Sequence, residues 1–298
     1  MSSASLLYCV GATKAGTSWL YRYLHDHPAC HVSAVKEAHY WDTFGPNRCA
    51  SQIKAFERRA GQFATKASQE AEAGNIYRSE NLFMQREKLQ DLIQVLSTSR
   101  DGDRAYWDWL SIGAGRAEVV ADITPAYGLV NKDTLKRMSA LRPVTRFVYM
   151  LRDPLDRLWS NIRMAVSREV GTENFDLKAN ERLASVLAGQ ADAGVIARSD
   201  YRTAITKLQS SVSSDRLYTV FTEELISEQG LRDFCAFVGV QPRAADTKRK
   251  IHEGPSAVMD EGLAARAVQF LKDQYEWVAQ NLGPLPQRWQ DNLARAAS

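Results

Sequence analysis

The stretch Leu6-Leu7-Tyr8-Cys9-Val10-Gly11-Ala12-Thr13-Lys14-Ala15-Gly16-Thr17-Ser18-Trp19-Leu20 decides the fold. Its first five residues are a continuous apolar run, the pattern of a strand buried on both faces of a parallel sheet. A loop bracketed by glycines follows. Trp19, Leu20, Tyr23 and Leu24 then share one helical face. His27-Pro28 ends that helix, because the residue before a proline avoids helical geometry. The spacing Gly11-x-x-x-x-Gly16-Thr17-Ser18 is close to a Walker A loop, but Thr17 stands where the lysine belongs and Lys14 lies inside the loop. The physical logic survives this shift. Glycines let the backbone approach an anion closely. The open N–H groups and the dipole of the helix start favour negative charge. Lys14 adds a full charge, and Thr17 and Ser18 add hydroxyls. The competing explanation is a plain helix cap built on Thr17 or Ser18.

Working outward, Glu118 to Ala121 reads as a strand running into Asp122-Ile123-Thr124-Pro125. Arg146 to Leu151 is the next strand and leads straight into Arg152-Asp153-Pro154, and Leu217 to Phe221 is another. Residues 52–99 and 155–210 are polar and helix-prone, the first group expected to cover the acceptor side. Leu263, Ala267, Phe270, Leu271, Tyr275, Val278 and Leu282 repeat at helical spacing until Gly283-Pro284 stops the helix. Strands alternating with helices predict one α/β domain over residues 1–298, with a central parallel sheet flanked by helices.

An ATP enzyme on this loop would need Mg²⁺ held by the loop hydroxyl and by an acid on a later strand. Asp122 is the candidate acid, but the strand ending at Leu151 delivers Arg152 instead. Side-chain cations in place of a metal fit these residues better. The five histidines (His25, His27, His31, His39 and His252) show no metal-ligand spacing, so no metal is expected.

The 298 residues are 45% hydrophobic and 24% charged, which excludes disorder and a disulfide-dependent scaffold. Lys plus Arg is 38 against 35 for Asp plus Glu, a net charge of +3. That balance is too even for a general nucleic-acid coat and leaves room for one basic pocket. Cys9, Cys30, Cys49 and Cys235 form no Cys-x-x-Cys pair and read as reduced thiols. No signal segment or membrane span is read, and the expected location is cytoplasmic.

Four segments resemble one family. Lys14-Ala15-Gly16-Thr17-Ser18-Trp19-Leu20 resembles the Lys-Ser-Gly-Thr-Thr-Trp-Leu loop of sulfotransferases that use 3′-phosphoadenosine 5′-phosphosulfate (PAPS). Lys36-Glu37-Ala38-His39-Tyr40-Trp41-Asp42 resembles the Lys-Glu-Pro-His-Phe-Phe-Asp segment of the carbohydrate, heparan-sulfate-like branch. Asp122-Ile123-Thr124-Pro125-Ala126-Tyr127 resembles that branch's Glu-Lys-Thr-Pro-Ser-Tyr. Leu151 to Ser160 resembles its Leu-Arg-Asp-Pro-x-x-Arg-x-x-Ser. The order and the gaps are family-like, and only residues 52–117 and 167–195 match no segment.

The resemblance implies a P-loop-like fold and sulfuryl transfer from PAPS to an acceptor hydroxyl, on a carbohydrate or glycoconjugate. It implies that Lys14, Ala15, Gly16, Thr17 and Ser18 wrap the 5′-phosphosulfate, with Lys14 neutralising charge on the bridging oxygen. Arg152 and Ser160 would bind the 3′-phosphate; the competing explanation for Arg152 is an ion pair with Asp153 or Asp156. Trp19 either stacks on adenine or faces the core. Lys250 and Gly254 belong to a basic segment, residues 248–255, that falls where the family has a loop over the nucleotide. Glu37, 23 positions after Lys14, is the expected base, in a pocket expected to raise its pKa, and His39 is its rival. Two departures stand out. Ile123 replaces a lysine near the acceptor, which argues against a densely sulfated substrate. Ala38 replaces the usual proline, which implies a looser turn. The alternatives are a kinase using ATP and a non-catalytic nucleotide-binding protein. Tyr106 to Leu110 would either stack on an acceptor or pack onto the core, with packing favoured.

Overall fold

Leu6, Leu7, Tyr8, Cys9 and Val10 are each at most 1% exposed, as a strand covered on both faces requires. The computed structural model describes residues 4–98, 100–169, 174–190, 193–245 and 255–295. The chain runs β1 (Ser5–Gly11), α1 (Thr17–His25), β2 (Cys30–Val32), α2 (Pro46–Glu72), α3 (Ile76–Ser97), α4 (Arg104–Leu110), β3 (Val119–Ile123), α5 (Lys132–Ala140), β4 (Thr145–Leu151), α6 (Pro154–Glu169), α7 (Phe175–Leu187), α8 (Ala193–Ala197), α9 (Tyr201–Gln209), β5 (Leu217–Phe221), α10 (Thr222–Leu225), α11 (Glu228–Val238), α12 (Glu261–Leu282) and α13 (Gln287–Ala294). The five strands form one sheet in the order β2–β3–β1–β4–β5, and every pairing is parallel. This is the single α/β domain with helices flanking a parallel sheet that the alternation predicts.

The strand order places the site. From the central β1 the chain travels to β2 and β3 on one side, then returns to β4 and β5 on the other. The connections after β1 and β4 therefore diverge, and the crevice between them lies at the carboxyl ends of both strands, where such sheets bind ligands. Gly11 closes β1 in register with Tyr149. A Cβ on Gly11 would lie 2.2 Å from the Tyr149 ring, so only glycine fits there.

Parts of the fold were not predicted, α5 and α11 among them. β2 is three residues long, too short for a periodicity signal, and α13 follows the Gly283 stop. Tyr106, Trp109 and Leu110 in α4 are at most 4% exposed, so this aromatic run packs onto the core. Along α12, Ala267, Leu271, Tyr275 and Val278 are buried, but Phe270 is 44% exposed and faces outward. All four cysteines are free.

Candidate active site

The loop between β1 and α1 is shaped by backbone conformation. Lys14 and Gly16 are both left-handed, with φ of 71° and 83°. Gly16 takes this conformation without a side-chain penalty, whereas Lys14 carries strain of about 1–3 kcal/mol that its surroundings must offset. No side chain caps α1, so the cap-only explanation for Thr17 and Ser18 does not describe this helix start. The Thr17 and Ser18 N–H groups, at the very start of the helix, have no carbonyl four residues back within it to bond, while the Trp19 N–H donates to the Gly16 carbonyl at 2.8 Å. Thr222, at the start of α10, locks the loop from outside. Its hydroxyl lies 2.8 Å from the Ala15 carbonyl and 2.7 Å from that of Leu151. Its methyl leaves a Cβ at position 16 only 3.0 Å of space.

Positive charge collects around this loop. The Arg152 guanidinium donates to the Lys14 carbonyl at 3.3 Å. The Lys14 ammonium is held below its ordinary pKa, first by burial and then by repulsion from Arg152, Lys36, Arg163 and Arg168. Neither acid near Arg152 in sequence serves as its partner. Asp153 accepts the Asp156 N–H at 2.8 Å and the Tyr275 hydroxyl at 2.9 Å, and Asp156 pairs with Arg288 at 3.1 Å. Burial raises Asp153 to about 6. Tyr201 donates its hydroxyl to the Arg152 carbonyl at 2.6 Å, which fixes the backbone where β4 ends. Ser160 is on the buried side of α6, about two turns past Arg152. Trp19 is 7% exposed and stacks on Tyr23 with centroids 5.7 Å apart, the packing of a core residue with a thin exposed margin. Lys250 and Gly254 lie outside the described residues.

Glu37 and His39 lie on the turn after β2. Both are left-handed, with φ of 64° and 51°. Asp42 Oδ2 is 2.9 Å from His39 Nδ1, and Glu37 Oε2 is 3.6 Å from His39 Nε2. The imidazole thus sits between two carboxylates. Burial alone would lower the His39 pKa, but hydrogen bonds and charge from Asp42 and Glu37 raise it to about 10. The expectation of a raised Glu37 is overturned. Burial pushes its carboxyl up, but the close approach of the His39 ring and the charges of Lys36 and His39 bring it down to about 2. Glu37 is therefore an ionised acceptor at neutral pH, while His39 already carries its proton.

Sequence reasoning missed Lys36 and Thr222. Lys36 was quoted only as the neighbour of Glu37, for which an ion pair on a solvated turn is the plain expectation. That pair exists, with Nζ 3.5 Å from Glu37 Oε1, but the same ammonium also donates to Ser18 Oγ at 2.6 Å. Lys36 therefore joins the loop after β1 to the turn carrying the carboxylate. Its position just before Glu37 was a signal in plain view. Thr222 directly follows the strand read over Leu217 to Phe221, and no motif marks it out. Asp122, the candidate magnesium ligand, is spent elsewhere. Its two oxygens accept hydroxyls from Thr124 at 2.6 Å, Tyr106 at 2.6 Å and Tyr127 at 2.9 Å, and the residue is 3% exposed.

Among the described residues, no three His, Cys, Asp or Glu side chains come together as a metal-ligand set. No described helix is long and apolar enough to cross a membrane.

Residues 7–243 match the model of the sulfotransferase family, and the chain belongs to that family. Human carbohydrate sulfotransferase 15 is 25% identical over 193 residues, and the mouse protein of the same name is 27% identical over 193. Each alignment covers 59% of this chain but only 30% of the relative, so the chain matches under a third of those proteins' length. A sulfotransferase from Alicyclobacillus acidocaldarius shares the fold at a TM-score of 0.61 and 21% identity, over 95% of this chain and 98% of that one.

Proposed function

We propose that this sulfotransferase-family chain moves a sulfuryl group from PAPS to a hydroxyl of a carbohydrate or glycoconjugate. The observation that carries the reading is the meeting of Lys14, Lys36 and Arg152 around one uncapped helix start, with ionised Glu37 beside them. Such a cluster suits a ligand bearing several negative charges, and it lies at the crevice of a parallel sheet. The relatives named as carbohydrate sulfotransferases support the acceptor class.

In this reading the loop amides and Lys14 bind the 5′-phosphosulfate. Arg152 and Ser160 take the 3′-phosphate, and Trp19 borders the adenine. The acceptor oxygen bonds to sulfur as the bond from sulfur to the bridging oxygen breaks, and adenosine 3′,5′-bisphosphate leaves. Lys14 neutralises the charge growing on that bridging oxygen. Glu37 takes the acceptor proton. A carboxylate held at about 2 is a weak base, so the proton moves late, once bonding to sulfur has made the hydroxyl acidic. His39, already protonated, orients Glu37 rather than acting as the base.

Calorimetry tests the donor. Adenosine 3′,5′-bisphosphate is expected to bind without divalent metal and more tightly than ATP. A preference for ATP with Mg²⁺ would turn the reading into a kinase. A screen of hydroxyl acceptors with sulfur-labelled PAPS then tests turnover. Tight bisphosphate binding without transfer to any acceptor would favour a non-catalytic nucleotide-binding protein.

A further inference from the structure

The turn carrying Glu37 and His39 hangs on a buried carboxylate more than 80 positions away. Thr124 Oγ1 accepts the Ala38 N–H at 3.0 Å and donates to Asp122 Oδ1 at 2.6 Å. The Tyr127 hydroxyl accepts the Tyr40 N–H at 3.0 Å and donates to Asp122 Oδ2 at 2.9 Å. Tyr106 supplies the third hydroxyl. Every proton in this network points the same way, from amide to hydroxyl to carboxylate. The two carboxylate oxygens accept all three hydroxyls at once, and so end both amide chains. The two amides held are those on either side of His39, and one of them directly follows Glu37.

The Ala38 departure gains a meaning here. A proline at position 38 would have no N–H for Thr124, and it would press the residue before it toward extended backbone. Glu37 instead has φ of 64°. The turn is therefore tied down rather than loosened.

We propose that Asp122 is the positioning residue for Glu37 and His39, acting through the hydroxyls of Thr124 and Tyr127 in place of a proline ring at position 38. The catalytic meaning of this role rests on Glu37 being the base; the positioning itself does not.

The test therefore begins with readouts that need no acceptor. Hydrogen exchange followed by NMR should show the Ala38 amide exchanging at least about tenfold faster in Thr124→Val, with Tyr40 little changed. Tyr127→Phe should do the reverse. In Thr124→Val the His39 ring should titrate closer to its ordinary 6.5, and Thr124→Ser should restore both readouts. Asp122→Asn should release both amides, but it risks misfolding, so the hydroxyl variants carry the test. Unchanged Ala38 exchange and unchanged His39 titration in Thr124→Val would overturn the proposal. Once an acceptor is identified, Thr124→Val should lower kcat by up to about 10²-fold at constant KM for PAPS. If the amides and His39 respond but the wild type transfers no sulfuryl group, the functional reading falls and the positioning role stands.

Discussion

The loop after β1 and the turn carrying Glu37 meet at one ammonium, that of Lys36, yet they are built in opposite ways. The loop is eight consecutive residues, Gly11 to Ser18, shaped by left-handed backbone and an uncapped helix start. The turn from Lys36 to Asp42 takes its shape from Thr124 and Tyr127, which lie 86 and 87 positions from their partners. Holding an anion requires amides and charge, and a short segment can supply both. Aiming a carboxylate requires a fixed direction, and here distant side chains supply it.

The sharpest way to break this comparison is to remove one group from each half. Lys14→Ala should reduce kcat by about 10²–10³-fold, as the loss of a charge-stabilising group does. Glu37→Gln should cost about 10²–10⁴-fold while leaving bisphosphate affinity unchanged. If either variant transfers sulfuryl groups at the wild-type rate, that half does not serve the reaction.

The pH profile of Glu37 belongs to the same test. Its pKa is depressed to about 2 from an ordinary 4.5, so its contribution to stability is present above 4.5 and lost as pH falls towards 2. His39 is raised to about 10 from 6.5, so its contribution is full below 6.5 and lost as pH rises towards 10. The kcat/KM profile should therefore show no acid limb from Glu37 near neutrality, and one found there would reverse the assignment.

Arg152→Ala sharpens the donor half. It should weaken adenosine 3′,5′-bisphosphate by about 1.5–3 kcal/mol, the worth of a hydrogen bond to a charged group. Calorimetry with an analogue lacking the 3′-phosphate should show a much smaller loss, and equal losses would remove the role given to Arg152. The smallest effect is expected from Thr222→Val, which loses one hydroxyl against two carbonyls and should cost about 1 kcal/mol of stability by denaturant titration. An unchanged midpoint would mean the loop holds its shape without that clamp.

The two halves also differ in how far the sequence discloses them. β1, the loop, β4 and the Arg152 turn were legible because each is a local signal: an apolar run, a pair of glycines, a proline. On the turn, residue types were legible but their state was not. Nothing along the chain says that His39 comes within 3.6 Å of Glu37, so desolvation looked decisive and the predicted shift had the wrong sign. Asp122 could be named only as a magnesium ligand for the rival ATP reading, because its hydroxyl partners are not legible along the chain: one of them, Tyr106, lies 16 positions earlier on another element. The Lys36–Ser18 bond spans only 18 positions, yet it crosses a helix and a strand and leaves no periodicity to read.

The 2.6 Å contact between Lys36 and Ser18 has a practical consequence for anyone redesigning the site. Positions 18 and 36 form a matched pair, so a library that randomises one while freezing the other will consist mostly of mismatches. A change of acceptor preference is better sought on elements outside that contact, leaving the pair intact.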